Sequence, residues 1–131
     1  MTFIKNLLII TLVLILLILI FRFLFKKETN FTSQFNRKKE FTTSNPNINS
    51  LIMDALKKSN FRKIRQVNNS FTSLATPTIW SFAEIITVNV NRISENKIEV
   101  LFKSKCLFPL QIFDWGKNER NCNKFFANLS I

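Results

Sequence analysis

Residues 80–93 read WSFAEIITVNVNRI, and the alternation in this stretch decides the fold. Phe82, Glu84, Ile86, Val88 and Val90 share one face of an extended chain, while Asn89 and Asn91 take the other. Successive side chains of a strand point to opposite faces, so the pattern describes a strand buried on one side only. Ser94-Glu95-Asn96 then turns the chain, and Ile98, Val100 and Phe102 alternate with Glu99, Leu101 and Lys103. Two such runs around a short polar turn predict an antiparallel hairpin.

Moving towards the N terminus, residues 71–76 read as a short strand stopped by Pro77. Residues 61–67 read as another, set off by the turn Asn68-Asn69-Ser70. Before them, Ile48, Leu51, Ile52, Ala55 and Leu56 recur at helical spacing. Asn47 or Asn49 can cap that helix, Lys57 and Lys58 suit the negative end of its dipole, and Ser59-Asn60 ends it. Beyond the hairpin, residues 107–113 contain Pro109 and are expected as an edge strand or an ordered loop. Asp114 is placed to cap a closing helix whose apolar stripe is Trp115, Cys122, Phe125, Phe126 and Leu129. The fold expected is α+β: an N-terminal transmembrane helix, then a small domain with an antiparallel sheet of about four strands covered by two helices. Residues 1–25 form the anchor, residues 26–46 a polar basic linker, and residues 47–131 the domain.

The anchor rests on residues 6–21, NLLIITLVLILLILIF, an uncharged run between Lys5 and Arg22. As a helix it rises about 24 Å, slightly less than a bilayer core of about 30 Å. Lys5 and Arg22 can snorkel outward, and Phe23, Leu24 and Phe25 extend the apolar stretch. A cleavable signal would end in small residues, whereas this run ends in Phe-Arg-Phe-Leu-Phe-Lys-Lys. A buried soluble helix would need partners on all sides, which so short a chain lacks. Arg22, Lys26, Lys27, Arg37, Lys38 and Lys39 follow the run, against Lys5 before it, and this excess puts the C-terminal part in the cytoplasm.

The same six basic residues, interleaved with Phe21, Phe25, Phe31, Phe35 and Phe41, are candidate contacts for anionic lipid headgroups. Each would add about 1 kcal/mol near the surface. The plainer alternative is a solvated tether with incidental phenylalanines.

The net charge is +11, with a pI near 10.2, no His, no Tyr and a single Gly. A Gly-rich phosphate cradle and all histidine-based metal or nucleophilic chemistry are therefore excluded. No cofactor is expected. Lys57, Lys58, Arg62, Lys63 and Arg65, with Phe61 among them, would give non-specific, salt-sensitive nucleic-acid binding, but no recognition motif accompanies them. Cys106 and Cys122 suit either a bridge or two buried positions, the latter being commoner for a lone pair.

Trp80, Glu84, Asp114, Lys117 and Asn118 form the candidate polar site, expected between the sheet and the last helix. The structural account of the same residues has Trp80 and Trp115 filling a core or interface, Asp114 capping, and Gly116 supplying an unusual backbone angle. Asn118 and Asn121 would then bond loop backbone. The segments WSFAEIITVNV and IFDWGKNERNCNKFF resemble a family of small, uncharacterised, often membrane-anchored bacterial domains. In that family a W-S-x-G-E strand precedes a D-x-G-x-N-x-x-N helix start. Trp80, Ser81, Glu84, Asp114, Gly116, Asn118 and Asn121 match, while Ala83 stands where the family pattern has Gly. Any role tied to close backbone approach at Ala83 is thus not carried over. The resemblance spans residues 51–129 and implies the α+β fold but no reaction.

These observations lead to an expected single-pass, non-enzymatic binding module at the cytoplasmic face of the cell membrane, with lipid or a membrane protein as partner. A membrane-tethered nucleic-acid-binding module and a small enzyme using Glu84 or Asp114 are the alternatives.

Overall fold

The computed structural model describes residues 2–25, 33–78, 82–108, 114 and 116–131. Its elements are α1 (Thr2–Phe25), β1 (Gln34–Thr42), α2 (Ile48–Lys58), β2 (Arg62–Val67), β3 (Ser70–Leu74), β4 (Glu84–Ser94), β5 (Lys97–Cys106) and α3 (Lys117–Asn128). Lys26, Lys27, Trp80, Ser81, Trp115 and positions 109–113 lie outside the described residues, as does the side chain of Arg22.

The β4–β5 hairpin forms in the register the alternation implies, from Glu84 opposite Cys106 to Ser94 opposite Lys97. Glu84, Ile86, Val88 and Val90 are buried, as are Ile98, Val100 and Phe102. Phe82 departs from the expectation: it precedes β4 and is 60% exposed, so the buried series begins at Glu84.

A larger correction concerns the linker. Residues 34–42, read as part of a polar tether, form β1, which pairs antiparallel with β5 from Gln34–Lys105 to Thr42–Lys97. Among the described residues the sheet therefore has five strands, in the order β1-β5-β4-β3-β2. An edge strand has to pack only alternate residues, and long basic side chains can lay their stems on apolar surface. Phe35 and Phe41 pack against the core, and the Phe41 ring lies 6.3 Å from that of Phe126. Both edges are rich in Lys and Arg, and β2 is irregular between Arg62 and Arg65, with Lys63 at φ +52°. Charge and irregularity at an edge discourage pairing with another chain.

One sheet face is covered by both helices. From α2 come Ile48, Ile52, Ala55 and Leu56, and from α3 Cys122 and Phe125. They join Phe71, Ile86, Val88, Val100 and Phe102 in one cluster, where the Phe102 and Phe125 rings sit 5.2 Å apart. The opposite face carries Thr72, Lys103 and Lys105 in the open. Along α1 the apolar side chains at positions 7–10 and 12–20 are exposed, none of them packed into the domain core. Counting only described residues, no helix is long and apolar enough to cross a membrane.

Candidate functional site

The polar cluster forms where α3 begins against the ends of β4 and β5. The inward positions of these strands change character at this end: Glu84 on β4 faces Cys106 on β5, and Ile86 faces Ser104. Asp114 sits three residues ahead of α3, and Gly116 between them adopts φ +70°. A left-handed residue at this point favours glycine, which has no Cβ to resist it. The turn brings the Asp114 carboxylate back onto the helix start, where Oδ1 accepts the Gly116 N–H and Oδ2 the Asn118 N–H, both at 2.9 Å. The carboxylate also meets the positive end of the helix dipole. Asp114 thus satisfies helix-start donors as expected, although Gly116 is the residue at the capping position.

The next residue, Lys117, extends its ammonium to Glu84 Oε2 at 2.8 Å. The same Nζ donates to the Thr76 carbonyl at 2.8 Å and to the Phe82 carbonyl at 3.4 Å. Glu84 is fully buried and Lys117 is 8% exposed. A buried carboxylate is costly unless paired, and this ammonium supplies the opposite charge. One residue further, Asn118 Oδ1 accepts from Ser104 Oγ at 2.6 Å, and its Nδ2 reaches Cys106 Sγ at 3.6 Å. Asn121 Nδ2 donates to Ser104 Oγ at 3.4 Å.

The structure brings Glu84, Asp114, Lys117 and Asn118 together and packs them shut, while Trp80 lies outside the described residues. All four are buried. Ser104, Cys106 and Asn121 belong to the same constellation and were not among the expected site residues. The signal for the first two was the hairpin's own period, since 104 and 106 continue the inward series of 98, 100 and 102.

The candidate lipid contacts divide. Arg37 bonds to Asn123 of α3 and lies 3.6 Å from Glu119, and the Lys39 ammonium stands 4.6 Å from the Phe126 ring centroid. Lys38 points to the other face, 2.6 Å from Glu99. The Lys38 hydrogen bond, with a further one from Asn91, holds the Glu99 carboxyl below the usual range, and Glu99 raises Lys38 in return. Three consecutive basic residues of a strand cannot share one surface.

The basic run that could touch nucleic acid is split between the end of α2 and β2, and Phe61 within it is buried. Its ring is not available for base stacking. Cys106 and Cys122 are both free and buried. Burial raises both thiols, that of Cys122 to about 11.

Among the described residues, a cleft of about 250 Å³ is lined by Pro46, Ile48, Asn49, Asn69, Val90, Arg92 and Ile98. It lies towards the hairpin end of β4, away from Glu84, and none of the expected site residues borders it. No group of three or more His, Cys, Asp or Glu among the described residues could hold a metal ion. Compared with known proteins, the chain matches no family model and shows no significant similarity to a curated protein.

Proposed function

We propose that the protein is a single-pass, membrane-anchored interaction module with no catalytic role, its domain held at the cytoplasmic membrane surface. The observation that carries this reading is the row of exposed Leu, Ile and Val side chains along α1, each at least 39% accessible between positions 7 and 20. An extended helix with apolar side chains on all sides demands cover, and lipid is the cover that this reading gives it. Lys5 and Arg22 bound the run, and Phe23 to Phe25 lengthen it. The basic residues that follow favour the cytoplasmic orientation.

Against catalysis stands the state of the two strongest carboxylates: Glu84 is paired with Lys117, and Asp114 is engaged by two backbone N–H groups. A general acid or base must reach its substrate, and neither is open to solvent. The resemblance to small membrane-anchored bacterial domains is in keeping with this reading.

Alkaline carbonate extraction of membranes from cells expressing the full chain tests the anchor, and reporters fused to each end test its orientation. Retention in the membrane pellet with a cytoplasmic C-terminal reporter is expected. Release into the supernatant would overturn the anchor, and an external C-terminal reporter would overturn the orientation.

A further inference from the structure

Three chain segments meet at one end of the sheet. The Cys106 N–H donates to the Ser33 carbonyl at 2.8 Å, and the Leu107 N–H to the Ala83 carbonyl at 2.9 Å. Ser33 is where the chain arriving from α1 enters the sheet. Immediately beyond these bonds, Phe82, Leu107 and Phe108 are 60%, 51% and 44% exposed, with the two rings 5.1 Å apart. Ile85 lies on the open face opposite Lys105, and Lys103 lies opposite Thr87 in the neighbouring row. Elsewhere on the domain, exposed large apolar side chains such as Val67 and Ile93 stand singly, which is ordinary for a soluble surface. Aromatic and aliphatic groups clustered beside lysines have the make-up of a membrane-interface contact.

We propose that this tip, Phe82, Leu107 and Phe108 with Lys103 and Lys105 on the open sheet face leading to it, rests on the anionic surface of the membrane that holds α1. The inference depends on the anchoring proposed above. Eight peptide steps separate Phe25 from Ser33. Even fully extended they span at most about 29 Å, so the tip is confined near the bilayer, where the effective lipid concentration is high. Charge agrees with the assignment. The acidic residues that β1 and β5 put on the open face, Glu40 and Glu99, are paired with Lys97 and Lys38 towards the hairpin end. The end next to the tether presents Lys103 and Lys105.

The full chain, carrying a fluorinated phenylalanine at position 108 or at position 93, is reconstituted into phosphatidylcholine vesicles with and without phosphatidylglycerol. A lipid bearing a headgroup spin label broadens nearby fluorine signals. Severalfold greater broadening at 108 than at 93 is expected, weaker in pure phosphatidylcholine and weaker again in the variant Lys103→Glu/Lys105→Glu. Those substitutions fall on exposed positions, and the signal at 93 reports whether the variant remains folded. A chain that does not stay with the vesicles defeats the anchoring itself. A chain that stays, yet broadens equally at 108 and 93, overturns the tip contact alone. So does a signal at 108 that changes with protein concentration but not with labelled lipid, which would give the tip to a second copy of the chain. Identical broadening in both lipids would overturn recognition of the anionic surface.

Discussion

The Lys117 ammonium lies 2.8 Å from Glu84 Oε2, joining the first residue of α3 to the first residue of β4 in a buried ion pair. Removing one partner leaves the other charge buried and uncompensated, which costs about 3–5 kcal/mol. Lys117→Met should lower stability by that amount, read from urea unfolding of the full chain in micelles. The double variant Glu84→Leu/Lys117→Met should recover much of the loss, because it removes both charges together. A double variant as unstable as the sum of the singles would show that the pair is not the source of the effect.

Asp114→Ala removes the acceptor of two N–H groups at the start of α3, and a loss of about 1–2 kcal/mol is expected. Asp114→Asn keeps one acceptor oxygen and should fall between the variant and the parent in the same measurement.

Gly116→Ala tests the left-handed turn. An added Cβ would meet only the flexible end of Arg120, at 3.4 Å, so the cost comes from φ +70° and not from crowding. About 1 kcal/mol of destabilisation is expected. Gly116→Asn should lose less, since Asn enters this region more readily than Ala.

Ser73→Ala should stabilise the domain. The Ser73 hydroxyl is buried and has no hydrogen-bond partner among the described residues. Relieving it is worth about 1 kcal/mol, visible as a higher urea midpoint.

The Cys122 thiol makes stability depend on alkaline pH. Its folded value, raised by burial to about 11 from an ordinary 9.0, means that below pH 9.0 the thiol is neutral in both states. As pH rises from 9.0 towards about 11, the unfolded chain ionises first, so stability falls across that window. Cys122→Ala should show a shallower decline over the same range when unfolding midpoints are compared.

How much of this was legible depended on which residues face the core. The β4–β5 hairpin could be read because it is covered on one side, and Ile86, Val88, Val100 and Phe102 mark that side without interruption. The stripe on α2 was equally plain. β1 was not, because Arg37 and Lys39 hold the inward positions between Phe35 and Phe41 and meet partners on α3. The even spacing of Phe35 and Phe41 was the only trace of a strand in an otherwise polar run. At the site, Glu84 stands out in the sequence as a charge in an apolar series. Nothing local tied it to Lys117, since that pairing exists only once α3 folds back over the sheet.

The position of β1 has a consequence for how the chain is made. Among the described strands, synthesis delivers β1 first and its partner β5 last, and Gln34 must find Lys105. Contacts between segments so distant in the chain form slowly, because a long loop has to close. The β1 segment would therefore wait, unpaired, while the ribosome completes the meander. The lysines and arginine of that strand would keep it soluble and solitary until its place in the sheet exists.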